Sequence, residues 1–347
     1  MQYVSARLGA RSLVAAAAIA CCALLPGRAL ASVTLSNWDS AQQHQVVKAG
    51  LMSNVGRSFQ GGSALSAAEA NAAMSALGLR LARQTGQTQA RAAAATRSPV
   101  SVVTFDKMLV QQLGLSDVAS HVQATASGAG LAPPSYFGTE VVARFLGLRY
   151  NHPAGTDQLE LFPSDGITRA EAAWSLAQIA AFGSWNVSYA RDSLMGFELP
   201  AMTSGQRQAL TIAVSRIGYP YVWGGTTDDT SDGLAHGGFD CSGFVWRVFK
   251  ISGLPWGRKI GGRTAAEMAQ EIPHRDRLHE NQLRPGDLLF FGTAHFNSTA
   301  TEANVIHTGI YLGDNWVIHS SGQGVYVLPL RGSWLGDQFT WGRRVLP

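Results

Sequence analysis

Residues 239–246 read FDCSGFVW, and this stretch decides the fold of the second half of the chain. Apolar residues recur after Cys241 at helical intervals, which predicts a buried helix whose first turn carries the cysteine. The apolar positions are Phe244, Val245, Val248 and Phe249. Unpaired backbone N–H groups and the positive end of the helix dipole favour a thiolate there. The stretch therefore indicates a nucleophilic cysteine, with an inert buried cysteine as the alternative.

Two histidines follow in apolar runs that predict strands. His307 lies in VIHTGIYLG (305–313), and His319 lies in NWVIHS (315–320). A short Gly-Asp-Asn turn separates the runs, which predicts a β-hairpin with the two rings as approximate cross-strand neighbours. One imidazole would then be the general base for the cysteine, while the other holds its tautomer and orientation.

Five sequence blocks, in order, resemble the NlpC/P60 family of cysteine peptidases. They are PYVWGG (220–225), FDCSGFVW (239–246), PGDLLFF (285–291), HTGIYLG (307–313) and VIHSSG (317–322). The resemblance covers the chain from about residue 211 to its C-terminus. It implies an α+β fold class with a papain-like catalytic domain over residues 205–347.

The same resemblance assigns roles to individual residues of this chain. It implies Cys241 as the nucleophile, His307 as the general base and His319 as the orienting third member. The residues that it places along the substrate site are Tyr221, Asp240 and Ser242. It requires no cofactor, and the sequence has no spacing typical of a metal site.

The activity implied by this resemblance is hydrolysis of peptidoglycan stem peptides, after a D-glutamyl residue and before a diamino acid. Peptidoglycan stem peptides are therefore the expected partner. Two alternatives remain open: an N-acetylmuramoyl-L-alanine amidase on the same fold, and a non-catalytic cell-wall-binding protein. Loops 226–238 and 292–304 are longer than is usual in the family and lie near the expected cleft.

Residues 32–184 are rich in Ala, Leu and Gln with helical spacing and contain a degenerate repeat. Residues 167–171 read ITRAE and resemble the start of the second helix in S-layer homology repeats. This resemblance implies a mainly α-helical repeat module that binds cell-wall polymer, with Arg169 and Glu171 as candidate binding residues. The alternative is a helical module that only packs on the catalytic domain. Residues 185–204 mix Gly, Ser, Asn and Pro, which predicts a linker.

The N-terminus is typical of a secretory signal peptide over residues 1–31. Arg7 and Arg11 precede an apolar run, and Ala-Leu-Ala at 29–31 offers a cleavage site. An N-terminal membrane anchor is the alternative. We therefore expect a secreted, cell-wall-associated protein, either extracellular or periplasmic.

Net charge and cysteine content bear on two further classes of protein, nucleic-acid binders and disulfide scaffolds. Removal of the leader with its three basic residues would reduce the formal net charge from +4 to about +1, which gives no reason to expect a nucleic-acid partner. Two of the three cysteines lie in the leader, so the mature chain would keep Cys241 as a lone thiol. A single thiol excludes a disulfide scaffold. The sequence indicates no oligomeric state.

Overall fold

A computed structural model describes residues 38–85, 97–152, 161–228 and 237–347. The expected leader at residues 1–31 and most of loop 226–238 lie outside these ranges. Among the described residues, no helix has both the length and the apolar character needed to cross a membrane.

The first part of the described chain is helical. Its helices are α1 (Ser40–Lys48), α2 (Ala67–Thr85), α3 (Val102–Gln112), α4 (Ser116–Gly128), α5 (Phe137–Phe145), α6 (Arg169–Ala180) and α7 (Asn186–Met195). Side-chain caps begin three of them at the expected kind of residue. Ser101 accepts a hydrogen bond from the Thr104 N–H, and Thr168 accepts one from the Glu171 N–H. Ser66 and Glu69 form a reciprocal capping box at α2.

The segments that lead into α2, α3 and α6 form a closed ring of backbone hydrogen bonds. The N–H of Leu65 donates to Ile167 at 2.8 Å, that of Ile167 to Val100 at 2.8 Å, and that of Val100 to Leu65 at 3.0 Å. Three further bonds link the same segments in the opposite direction. They run from the N–H groups of Ala67, Val102 and Arg169 to the carbonyl oxygens of Ser98, Asp165 and Ser63, respectively. Each of the three segments therefore makes the same set of backbone hydrogen bonds to the other two.

The interval expected to be a linker, residues 185–204, contains α7 (Asn186–Met195) and packs against its surroundings. Ala190, Leu194 and Phe197 are fully buried in this interval. The helix packs against α4 and α5. Burial of these apolar side chains fixes the interval to both parts of the chain, since Phe197 packs against Trp316 with ring centroids 5.1 Å apart, although the composition of the interval resembles that of a loop.

The second part combines short helices with a sheet. Its elements are α8 (Ser204–Val214), β1 (Thr226–Thr227), β2 (Gly238–Phe239), α9 (Cys241–Trp246), α10 (Ala265–Gln270), β3 (Leu288–Gly292), β4 (Val305–Gly313), β5 (Trp316–Ser321), β6 (Gly324–Pro329), α11 (Trp334–Gln338) and β7 (Phe339–Arg343). Thr203 caps α8 in a capping box with Gln206. Strands β3 to β7 form one antiparallel sheet in the order β6-β5-β4-β3-β7.

Strands β4 and β5 form the hairpin that the sequence predicts, with Ile310 opposite Ile318. Asp314 and Asn315 both have positive φ in the connecting turn, the conformation that tight hairpin turns require. Within β4, a Cβ at position 309 would lie only 3.0 Å from the Cβ of His319, and Gly309 leaves this space free. The ring of His319 therefore has room to reach diagonally toward β4.

Candidate active site

Cys241 lies at the N-terminus of α9, as the sequence predicts. Asp240 is the N-cap, and its Oδ1 accepts the Gly243 N–H at 2.5 Å. Its Oδ2 accepts the Gly224 N–H at 3.0 Å, which ties the segment before β1 to the start of the helix. The position of the cysteine is therefore set by a carboxylate that uses both of its oxygens on backbone donors.

Close packing holds α9 against the segment 220–225. A Cβ at Gly243 would lie 1.9 Å from the carbonyl oxygen of Gly225, so only glycine fits at that contact. The Asp240 N–H also donates to the same Gly225 carbonyl at 3.2 Å. The start of α9 in DCSG therefore packs directly on the backbone of the glycine pair in PYVWGG.

The surroundings of the Cys241 thiol raise its pKa, whereas the sequence predicts a position that favours the thiolate. Burial raises the pKa of Cys241 to about 11, and the nearby Asp240 carboxylate acts in the same direction. Hydrogen bonds from the backbone N–H groups of Thr308 and Ser242 oppose this rise. The helix start thus supplies donors to the sulfur, but they do not overcome desolvation, and the free site holds a neutral thiol at neutral pH.

The two imidazoles meet across the β4–β5 hairpin. The Nε2 atom of His307 and the Nδ1 atom of His319 are 2.9 Å apart. His307 is only 8% exposed and His319 is fully buried. Burial lowers the pKa of His307 to about 4 and holds the pKa of His319 well below its usual range. Both rings are therefore neutral at pH 7, which is the state that a general base needs.

This contact restricts the useful tautomers. Since His307 uses Nε2 toward His319, Nδ1 is the nitrogen left to accept a proton from a thiol. A basic Nδ1 requires that Nε2 carry the proton and donate it to His319 Nδ1. His319 must then be protonated on Nε2, which is buried and has no hydrogen-bond partner among the described residues. The contact thus allows His307 to take the basic tautomer, in which a second, neutral imidazole accepts its Nε2 proton.

Aromatic rings enclose the imidazole pair. The ring centroid of Trp334 is 5.4 Å from that of His307 and 5.8 Å from that of His319. Phe291 lies 5.7 Å from His307, and Tyr326 lies 4.3 Å from His319. Trp334 remains 37% exposed, so its free surface forms part of the wall beside the general base.

Ser242, Asp240 and Tyr221 lie around the nucleophile with Arg263. Arg263 donates to both carboxylate oxygens of Asp240, at 3.0 and 2.9 Å, and to Ser242 Oγ at 2.8 Å. Burial raises the pKa of Tyr221, and the neighbouring Cys241 and Asp240 add to the rise. The structure therefore places Tyr221, Asp240 and Ser242 around Cys241, and the Thr308 N–H that reaches the sulfur belongs to the residue directly after His307.

Residues 218–344 match the family model described as NlpC/P60 family. The chain carries an NlpC/P60 domain. Over 133 residues it is 32% identical to the gamma-D-glutamyl-L-lysine dipeptidyl-peptidase of Bacillus cereus, with 38% of this chain and 34% of that protein covered. Over 136 residues it is 35% identical to the probable endopeptidase YafL of Escherichia coli, with 38% and 46% covered. The chain thus spans less than half the length of these curated relatives.

A solved structure of an NlpC/P60 family protein from Bacillus cereus is similar at 25% sequence identity with a TM-score of 0.32. The similarity covers 44% of this chain and 43% of that chain.

Arg169 and Glu171, the candidate wall-polymer residues, lie outside the NlpC/P60 domain and are each 3% exposed. Arg169 is paired with Glu69 and donates to the carbonyl oxygen of Phe59 at 2.9 Å. Glu171 contacts Arg149 at 3.3 Å and His152 at 3.1 Å. Both charges are used inside the protein, so neither presents a free group to a polymer in this conformation.

Sequence reasoning did not assign Trp334 or Arg263 to the site. Trp334 stands in a polar, Gly-containing stretch that carries no strand or helix pattern. Arg263 precedes a helix start, but the sequence alone does not show that its side chain reaches back to Asp240. Their positions depend on contacts with residues distant in the chain, such as Asp240 for Arg263 and His307 for Trp334, which local patterns do not encode.

Proposed function

We propose that this protein is a peptidoglycan hydrolase that uses Cys241, His307 and His319 to cleave stem peptides. The observation that carries the proposal is the 2.9 Å contact between two neutral, buried imidazoles in a domain whose nucleophile begins a helix. The proposal also draws on the NlpC/P60 match and on relatives named as endopeptidases.

In the proposed reaction the Cys241 sulfur attacks the carbonyl carbon of the scissile bond as its proton passes to His307 Nδ1. The imidazolium, oriented by His319, then returns this proton to the leaving amine. A water molecule, deprotonated by the same ring, attacks the thioester and releases the acid product and the free thiol. Since burial disfavours both the thiolate and the imidazolium, proton transfer accompanies attack and does not precede it.

The scissile bond that we propose joins D-glutamate to a diamino acid. The name of the Bacillus cereus relative, a gamma-D-glutamyl-L-lysine dipeptidyl-peptidase, supports this substrate class. Tyr221 and Arg263 provide a phenol and a partly exposed guanidinium next to the nucleophile, which suits a substrate that carries carboxylate and amide groups.

The test is digestion of purified peptidoglycan by the wild type and by Cys241→Ala, with identification of the released fragments by mass spectrometry. We expect fragments cut between D-glutamate and the diamino acid, released only by the wild type. Release of complete stems beginning with L-alanine would indicate an amidase instead. If the two proteins release the same products, or none, Cys241 is not the nucleophile of a wall hydrolase.

We further propose that the helical part is a three-copy repeat that binds cell-wall polymer. The two sets of three backbone hydrogen bonds among the segments before α2, α3 and α6 support a threefold repeat. Because Arg169 and Glu171 are buried, binding in this proposal uses the outer surface of the repeat. Cys241→Ala protein should pellet with purified walls and pellet less with walls stripped of secondary polymers by hydrofluoric acid. Equal pelleting on both would refute polymer binding.

Export is a separate proposal, supported by the sequence pattern of residues 1–31. Processed protein recovered from the envelope or the culture medium should begin at Ser32. Recovery of uncleaved protein from the cytoplasm alone would contradict it.

A further inference from the structure

The helical part of the chain contacts the NlpC/P60 domain at Tyr221. The Oδ1 atom of Asn151 accepts the Tyr221 N–H at 2.7 Å. The Nδ2 atom of Asn151 donates to the Tyr221 carbonyl oxygen at 3.0 Å. One side-chain amide therefore pairs with both backbone groups of Tyr221, as a residue of a neighbouring strand would.

The backbone of Asn151 contacts a second part of the domain. Its N–H donates to the carbonyl oxygen of Gly322 at 2.9 Å. Gly322 directly follows β5, the strand that carries His319. Asn151 thus joins the segment that carries Tyr221 to the turn that follows the orienting histidine.

Arg144 on α5 reinforces the same junction. Its guanidinium donates to the carbonyl oxygens of Gly218, at 3.1 Å, and of Gln323. Glu140 holds the guanidinium at 3.0 Å from the other side. Arg144 and Glu140 are buried, and buried charge-assisted hydrogen bonds with good geometry rigidify the backbone that they contact.

Tyr221 is the residue through which this junction can affect the reaction. Its side chain is close enough to Cys241 and Asp240 for their charges to raise the pKa of its phenol, and Arg263 acts in the opposite direction. A shift of the Tyr221 backbone would therefore move a phenol that lies beside the nucleophile.

We propose that Asn151 is a positioning residue for the peptidase site, through which the helical part holds Tyr221 in place to bind the stem peptide. The proposal rests on the function proposed above. It makes a residue outside the matched segment 218–344 a support for the substrate site. The residue acts through Tyr221 and touches no reacting atom.

The experiment uses the full chain and a soluble stem peptide, with Asn151→Ala compared with Asn71→Ala. Asn71 is a matched control because it is also partly buried in the helical part and donates to a backbone carbonyl, that of Ala67, at 2.9 Å. We expect Asn151→Ala to raise KM about ten-fold, equivalent to about 1.4 kcal/mol, with kcat nearly unchanged. Asn71→Ala should leave KM at the wild-type value.

Asn151→Asp provides a second variant. It keeps an acceptor for the Tyr221 N–H but cannot donate to the Tyr221 carbonyl oxygen, so KM should rise here too. In the Tyr221→Phe background, Asn151→Ala should raise KM by a smaller factor, because the phenol that Asn151 positions is absent. Equal factors in both backgrounds, or a loss of kcat with KM unchanged, would overturn the proposal.

Hydrogen exchange gives a readout that is independent of activity. Backbone amides of residues 219–225 should exchange faster in Asn151→Ala than in Asn71→Ala, while those of α9 keep their wild-type rates. If the wild type does not cleave stem peptides but residues 219–225 exchange faster in Asn151→Ala, the proposed function is wrong. Asn151 would then still hold the Tyr221 segment in place. If the wild type cleaves stem peptides and the exchange rates are identical, the positioning role itself is refuted.

Discussion

Two buried polar clusters, one in each part of the molecule, satisfy their polar groups in opposite ways. In the helical part, the Nε atom of buried Arg149 lies 3.0 Å from both carboxylate oxygens of Asp106, and the guanidinium reaches Glu171 at 3.3 Å. In the NlpC/P60 domain, His307 and His319 are comparably buried but share a single hydrogen bond with each other. Burial lowers the pKa of both imidazoles, so they stay uncharged.

This difference separates groups that hold a fold from groups that are available for chemistry. A buried charge that is fully paired stabilises its surroundings and has little capacity to bind a ligand. A buried neutral imidazole with one ring nitrogen uncommitted can exchange a proton. On this criterion Arg169 and Glu171 belong with Arg149, although their sequence motif suggested polymer binding.

The largest expected effect is on catalysis by His307. His307→Ala should lower kcat/KM for a soluble stem peptide by about 10³- to 10⁴-fold, because it removes the general base. Cys241→Ala should be at least as damaging. The melting temperatures of both variants check that the proteins are folded. Retention of most activity by His307→Ala would remove this histidine from the role of base.

The next largest effect is on stability in the helical part. Arg149→Met should lower the free energy of unfolding by about 3–5 kcal/mol, since it removes the guanidinium from the buried Asp106 and leaves Glu171 with His152 alone. Urea denaturation measures the change. Arg191→Met is the control, because Arg191 pairs with Asp117 at the surface and its loss should cost less than about 1 kcal/mol. Similar midpoints for the two variants would contradict the stabilising role of the buried Arg149 pairs.

The sequence predicts those features that depend on neighbouring residues. The start of α9 at Cys241 follows from a short apolar pattern, and the β4–β5 hairpin follows from two apolar runs and a turn. From these two elements, the proximity of His307 and His319 is also predictable. The helix caps at Ser66 and Thr168 are equally local.

Features that depend on distant residues are not predictable from such patterns. The burial of Arg169 depends on Glu69, which lies 100 residues earlier in the chain. The clamp of Asn151 on Tyr221 spans 70 residues. The sequence also misleads about the thiol, because a helix start favours a thiolate while the depth of burial, which raises the pKa of Cys241, depends on the whole fold.

The pH dependence of Cys241 alkylation tests directly whether the free protein holds a neutral thiol beside neutral imidazoles. Below its pKa of about 11, the thiolate fraction rises about ten-fold per pH unit, so alkylation by iodoacetamide should be about 10²-fold faster at pH 9 than at pH 7. Stopped assays with mass detection of the labelled peptide give the rates. A rate that is flat from pH 6 to pH 8 would instead indicate a thiolate–imidazolium pair.

The smallest effect distinguishes the orienting role of His319 from a purely steric one. His319→Ala should lower kcat/KM by about 10²-fold, because His307 loses the partner that fixes its tautomer and orientation. In His319→Gln, the amide oxygen can still accept the Nε2–H of His307, so the loss should be only about ten-fold. His319→Leu is the matched control, since it fills space without accepting a hydrogen bond. If His319→Leu is as active as His319→Gln, the ring only packs, and the imidazole pair has no part in setting the basicity of His307.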